Sequence, residues 1–227
     1  MELDTDYTGN YKNDPKIIKL TQDESNHYFN NKDTSKQFLL TDIGKYSISK
    51  PHLAQWITLK IITCLNLSLE EIKNKMTITD ATAGLGGDLF TFAQYFKKVN
   101  GVEQNLIHFN VLNHNLQQLA CKNITMYNKN YYNIYEQLDN NIVFIDPPWG
   151  GNNSKVYKYL NLYLDGKNIS KIINLLYKIN VEHVFLKIPF NFNFSLLLQT
   201  VLYNNMSIHR YKNIYLVYLQ KKDLKKI

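Results

Sequence analysis

The sequence predicts an α/β fold: a mostly parallel seven-stranded sheet with helices on both faces, closed by an antiparallel hairpin. Three observations predict it. Short apolar runs of strand type alternate five times with segments whose apolar residues repeat at helical spacing. The last two runs, 206–211 and 214–220, are separated only by Lys212 and Asn213, which is hairpin spacing. The glycine-rich and proline-rich segments fall directly after strand-like runs, where an open parallel sheet holds its ligands.

Each element follows in order. Residues 1–35 are polar, with few apolar residues in register, and read as a loosely attached arm. Leu53, Trp56, Ile57, Ile61 and Leu65 share one helical face across 51–65, with Ser49 placed to cap it. A short helix near 68–74 leads into a strand at 76–79 that ends at Asp80. Residues 81–87 make a glycine turn, and 88–96 a helix with Leu89, Phe92, Ala93 and Phe96 on one face. A strand at 99–103, a helix at 106–121 and a strand at 124–127 come next. A buried strand at 141–145 runs straight into Asp146-Pro147-Pro148-Trp149. A helix at 169–179, a strand at 184–188 and a helix at 194–203 precede the hairpin.

A chain of 227 residues suffices for one sizeable core. The longest apolar runs, such as Leu196–Leu202, are too short to cross a bilayer, and the acidic start lacks a secretory apolar region. Cys64 and Cys121 lie far apart on apolar faces and read as free thiols, and no Cys or His pair has zinc spacing. The expectation is an intracellular protein with neither membrane nor metal. A net charge of +7, partly in the tail Lys221-Lys222-Asp223-Leu224-Lys225-Lys226, suits a polyanionic partner. The excess of Asn, Lys, Ile and Tyr is what an A+T-rich coding sequence produces, as in large DNA viruses or some protists.

Two motifs carry chemistry. In Asp80-Ala81-Thr82-Ala83-Gly84-Leu85-Gly86-Gly87-Asp88, glycines let the backbone turn tightly and approach a ligand, and Glu103 ends the next strand within reach of a ribose diol. No Lys-Ser/Thr pair follows the glycines, so this is not a phosphate loop, and their spacing is not the dinucleotide fingerprint. The second motif is Asp146-Pro147-Pro148-Trp149-Gly150-Gly151. Its prolines fix φ and cannot extend a ladder, so a carboxylate and a carbonyl are held rigidly beside a flat aromatic ring. Such acceptors suit an exocyclic –NH₂ group, and the ring suits a base.

The first motif resembles motif I of the class I (Rossmann-like) methyltransferases. That resemblance implies S-adenosylmethionine as cofactor, with Asp80, Ala81, Gly84 and Gly86 against its amino-acid part, Glu103 on its ribose and Asn130 on its adenine. The second motif extends the likeness to amino-methyltransferases. With Pro-Pro-Trp-Gly-Gly, Phe92-Ala93 and coverage from about Tyr46 to Leu219, the chain is similar to the trimethylguanosine synthases, which methylate N2 of a 7-methylguanosine cap. The resemblance implies 7-methylguanosine-capped RNA as partner. It makes Asp146, Pro147 and Trp149 catalytic, with Asp146 also beside the cofactor. Ser47 and Ser49 of Tyr46-Ser47-Ile48-Ser49 would touch cap and cofactor, Asn115 would lie near the cap phosphates, and Asn191 would fall on the family's Leu-Pro-Arg-Asn strand end. Asp146 replaces the usual serine, Asn152 a proline and Phe190 an arginine, so Lys50, Lys155, Lys158 or Lys187 would have to supply the lost phosphate contact. The domain expectation is an arm at 1–45, a methyltransferase domain at 46–220 and a basic tail at 221–227. Adenine N6 remains open as the acceptor, and so does a silent module that only binds capped RNA.

Overall fold

The computed structural model describes residues 14–151 and 157–221. Asn152 and Lys155, like most of the basic tail, lie outside the described residues. The chain divides into two compact units, Asn13–Tyr131 and a second from Tyr132 onward.

The first unit opens with β1 (Ile17–Lys19), α1 (Gln22–Phe29), β2 (Leu39–Thr41) and α2 (Gly44–Ser47). Helices α3 (Pro51–Leu65) and α4 (Leu69–Lys75) lead to β3 (Thr77–Asp80). Then come α5 (Gly87–Tyr95), β4 (Lys98–Val102), α6 (Leu106–Leu119) and β5 (Ile124–Tyr127). Strands β3, β4 and β5 pair in parallel. Local chemistry sets the helix starts: Thr21 with Glu24 and Ser68 with Glu71 form capping boxes, and the Asn105 side chain caps α6. Helix α3 departs from expectation. Its N-cap is Lys50, whose ammonium can only donate and so caps no backbone N–H, while the Ser49 hydroxyl is engaged elsewhere.

Residues 14–35 are a further correction. They hold β1 and α1, and β1 pairs antiparallel with β2. Phe38 and Leu40 are fully buried, and Phe29 stacks on Phe38 at 4.9 Å. Helix α1 has a polar surface and few apolar residues, so periodicity had little to register.

The second unit contains β6 (Ile142–Ile145), β7 (Tyr163–Leu164), β8 (Lys167–Asn168) and α7 (Ile169–Lys178). It continues with β9 (His183–Pro189), α8 (Phe194–Thr200), β10 (Asn205–Tyr211) and β11 (Ile214–Gln220). Strand β9 runs parallel to β6 and antiparallel to β11, and β10–β11 is the expected hairpin. Every residue of β6 and β9 is buried, as central parallel strands require. The tiny β7–β8 hairpin was not foreseen, since two residues on each side leave no pattern.

Together the strands follow the order β10-β11-β9-β6-β3-β4-β5 in one seven-stranded sheet, mostly parallel with an antiparallel hairpin, as the sequence predicts. Among the described residues no helix is long and apolar enough to cross a membrane. Cys64 and Cys121 are free and half-buried, and burial pushes both thiols up.

Candidate active site

In the first unit the site residues gather at the carboxyl ends of β3 and β4. Asp80 is buried, and its Oδ1 accepts from the Thr82 N–H at 3.0 Å, which starts the turn. The Ala83 N–H donates to the Val102 carbonyl at 2.9 Å, and the Gly86 N–H to the Ala83 carbonyl at 2.8 Å. Gly84 and Gly86 have positive φ of 51° and 90°, and a Cβ on Gly86 would lie 2.8 Å from the Phe90 ring. At Gly87 a Cβ would collide with the Ser49 carbonyl oxygen, so the chain before α3 is laid against the glycine turn. The Ser49 hydroxyl, fixed there, donates to Asp88 Oδ2 at 2.6 Å.

Glu103 is knitted into the same turn. Its Oε2 accepts from the Gly84 N–H at 2.9 Å and its Oε1 from the Asn105 N–H at 2.7 Å. The turn and the acid are therefore one hydrogen-bonded assembly with a fixed negative edge. Asp80, Ala81, Gly84, Gly86 and Glu103 are brought together at this turn, and Asn130 follows β5, half-buried. Asn128 is a residue that sequence reasoning missed: its amide donates to the Glu103 carbonyl at 2.9 Å and the Gln104 carbonyl at 3.2 Å. In a chain so rich in asparagine, nothing marks it in advance.

One residue expected at the substrate is placed differently. Asn115 is fully buried. Its Nδ2 donates to the Leu39 carbonyl at 2.8 Å and its Oδ1 accepts from the Leu39 N–H at 3.0 Å, so it extends β2 as a strand would. Such an amide clamps α6 to β2 and is not presented to a phosphate. Ser47 is exposed at the end of α2. Nearby, His108 Nε2 meets Thr41 Oγ1 at 3.1 Å, and burial lowers the imidazole to about 4, which keeps it neutral.

In the second unit, β6 delivers Asp146 at its carboxyl end. Pro147 is buried, Pro148 and Trp149 are half-buried, and Gly150 and Gly151 follow at positive φ. The pairing of Ile145 with Leu186 sets Lys187 of β9 beside Asp146. There Lys187 Nζ donates to Asp146 Oδ2 at 2.6 Å, with side chains 5% and 21% exposed respectively. The same ammonium stands 5.8 Å from the Trp149 ring centroid. Read from the sequence as a surface charge available to phosphate, Lys187 is instead sealed inside a strand of seven buried residues. The signal for this was a single lysine within an apolar run. Trp149 Nε1 is buried with no acceptor among the described residues, a costly state.

Asn191 is buried at the end of β9. Its amide donates to the Tyr157 carbonyl at 2.8 Å, and its carbonyl accepts from the Leu160 N–H at 2.8 Å, so it holds the strip 157–160 in place. Phe190 is exposed beside it, and Lys158 lies 5.4 Å from the Tyr159 ring. Among the described residues no group of three or more His, Cys, Asp or Glu side chains could hold a metal ion.

A model of the family described as RNA cap guanine-N2 methyltransferase matches residues 75–227. An uncharacterized protein of Acanthamoeba polyphaga mimivirus is 37% identical over 132 residues, 56% of this chain and 52% of its own length. The chain therefore spans about half the length of the curated relative it matches. Among solved structures, a 16S rRNA N2 methyltransferase of T. thermophilus, in complex with AdoMet and guanosine, superposes with a TM-score of 0.62 at 14% identity. The match covers 94% of this chain and 52% of that one. An rRNA methylase of Streptococcus thermophilus superposes with a TM-score of 0.50 at 16% identity, covering 78% of this chain and 99% of that one. At such identities these likenesses speak for the fold, and the fold is that of the Rossmann-like methyltransferases.

Proposed function

Because this chain belongs to the family of RNA cap guanine-N2 methyltransferases, we propose that it methylates the exocyclic N2 amine of a 7-methylguanosine cap on RNA. The enzyme class and the cofactor follow from membership: it is an S-adenosylmethionine-dependent methyltransferase. The observation that carries the acceptor is the rigid Asp146-Pro147-Pro148-Trp149 tip at the end of the wholly buried β6.

The residues of the first unit fit the cofactor. Glu103 is held by two backbone N–H groups and presents fixed acceptor lone pairs to a diol, while the glycine turn admits a close ligand. Asp80, Ala81, Gly84 and Gly86 would hold the amino-acid portion, and Asn130 the adenine. Ser49 supports the turn through Asp88. When bound, S-adenosylmethionine supplies an electrophilic methyl group on a sulfonium centre.

The acceptor side is a matter of positioning. An aromatic amine delocalises its lone pair into the ring, so it must be pyramidalised and aimed before it can attack. Asp146 and the Pro147 carbonyl accept a hydrogen bond from each of its two N–H groups and do this without a strong base. With the cofactor bound, the lone pair would form the new N–C bond as the methyl–sulfur bond breaks, its electron pair staying on sulfur to leave a neutral thioether, and the surplus proton would leave to solvent afterwards. Trp149 stacks on the base. A 7-methylguanine is cationic, so its stacking gains about 0.5–2 kcal/mol over the neutral base, or roughly 2- to 30-fold in affinity. Asp146 at the position of the family's serine keeps adenine N6 as the competing acceptor.

The test is transfer from labelled S-adenosylmethionine to a 7-methylguanosine-capped dinucleotide, its unmethylated counterpart and an uncapped adenine-containing RNA. Transfer confined to the 7-methylated cap is expected. Transfer to the adenine RNA alone would replace guanine by adenine and leave the amine chemistry standing, whereas cofactor binding without transfer would reduce the chain to a binding module.

A further inference from the structure

We infer that the second unit carries a binding platform for the single-stranded RNA that follows the cap, built from Phe190, Tyr159 and Lys158 with Lys212 at its border; this rests on the capped-RNA reading of the acceptor. Three segments meet at the carboxyl end of β9. Phe190 follows the strand directly, and its N–H donates to the Asn213 carbonyl at 3.1 Å, which brings the β10–β11 turn against it. The strip 157–160 is tied to the same strand end. The Leu160 N–H donates to the Asn191 carbonyl at 2.8 Å, and the Asn193 N–H to the Leu160 carbonyl at 2.9 Å. These backbone bonds fix the segments and still leave large rings in solvent: Phe190 is 52% exposed, Tyr159 65% and Tyr157 38%.

Apolar residues scattered singly over a surface need no explanation, but rings gathered at the ligand end of a parallel sheet do. Cations stand among them. Lys158 Nζ lies 5.4 Å from the Tyr159 ring centroid and Lys212 Nζ 5.6 Å from that of Tyr211. The stretches that build this ground, 157–164 and 183–221, contain no Asp or Glu. Positive charge beside open aromatic faces complements a single strand: phosphates meet the lysines, and bases of any identity stack on the rings. The mixture favours RNA over a protein face, since a phosphate and a base recur in every nucleotide. Phe190, standing where the family resemblance expects an arginine, exchanges a phosphate contact for a stacking face. The position suits the path of the substrate. Ile145, the last residue of β6 before the Asp-Pro-Pro-Trp tip, pairs with Leu186. Phe190 therefore lies four residues further along β9, about 13 Å at about 3.3 Å per residue. That distance matches about four stacked nucleotides at roughly 3.4 Å each, so a capped dinucleotide reaches its near edge at most.

The experiment uses the full chain and two readouts. The first is fluorescence anisotropy with a labelled, uncapped single-stranded RNA of about ten nucleotides. The second is methyl-transfer kinetics on a capped RNA of the same length and on the capped dinucleotide. Phe190→Ala combined with Tyr159→Ala should weaken RNA binding about 10- to 100-fold and raise the KM for the longer capped RNA by the same factor. The KM for the dinucleotide, S-adenosylmethionine affinity and thermal melting should stay near the parent. Phe190→Trp, which keeps a stacking face, should bind RNA as tightly as the parent or more so. Lys158→Gln and Lys212→Gln should each lower the slope of log Kd against log salt by about 0.7. Unchanged RNA affinity in the paired alanine variant would overturn the inference and leave the rings to a protein partner. An equal rise in KM for both capped substrates would overturn it too, because the rings would then shape the cap pocket or the fold. Were the paired change to cost stability, Tyr159→Ala alone decides, with a loss of about 5-fold or more required. Should the parent fail to methylate a cap, the anisotropy measurement needs no transfer and judges the platform by itself.

Discussion

Glu103 spends one carboxylate oxygen on the Gly84 N–H and the other on the Asn105 N–H. A neutral amide in its place would turn one acceptor into a donor facing a backbone N–H. Glu103→Gln is therefore expected to weaken S-adenosylmethionine binding by about 10- to 100-fold, as loss of a charged hydrogen bond does, in calorimetric titration. Asn115 has the opposite profile. Its amide is consumed by Leu39, so Asn115→Leu should cost roughly 1–3 kcal/mol of unfolding free energy in a denaturant titration and leave the KM for the cap nearly unchanged. A raised KM at unaltered stability would return it to the phosphate. Trp149→Ala should abolish the advantage of the N7-methylated acceptor over the unmethylated one in competition kinetics. At this scale the turn Asp80–Gly87 and the acid Glu103 were legible, because turn chemistry is local. Asn115 and Lys187 were not, because their partners lie 76 and 41 residues away.

Between β2 and α6, the buried Thr41–His108 contact adds a titratable joint to the Asn115 clamp. The His108 imidazole falls from its usual 6.5 to about 4, chiefly through burial, so the unfolded chain binds the extra proton first. Stability from this group is complete above about pH 6.5, declines as pH falls toward 4 and is fully lost below that. The whole effect amounts to roughly 3 kcal/mol at most. Urea titrations at pH 7, 5.5 and 4.5 should show this decline, and His108→Gln, which keeps a hydrogen-bonding side chain, should flatten it. Helices and long strands from α3 to β11 could be read from periodicity. β1 and α1 could not, since they are anchored by a few apolar side chains such as Leu20 and Phe38 that sit outside any repeat.

For the molecule as a whole, alternating periods foretold the parallel strands and the Lys212-Asn213 spacing foretold the hairpin, so the seven-stranded sheet was legible without a structure. Its strand order was not, because nothing local says that β6 and β9 are neighbours. That adjacency creates the Asp146–Lys187 pair, which is why the chemistry of the tip had to be seen in place. The net charge of +7 gives a further expectation. The KM for a long capped RNA should rise with salt more steeply than that for a capped dinucleotide, by about 0.7 in log–log slope for each added phosphate contact. The most direct measurement is the site of the new methyl group: incubate the enzyme with labelled S-adenosylmethionine and a 7-methylguanosine-capped dinucleotide, digest to nucleosides and identify the product by mass spectrometry. Label on N2 of 7-methylguanosine is the predicted result, and label on a ribose hydroxyl or on adenine N6, with N2 untouched, would contradict the account.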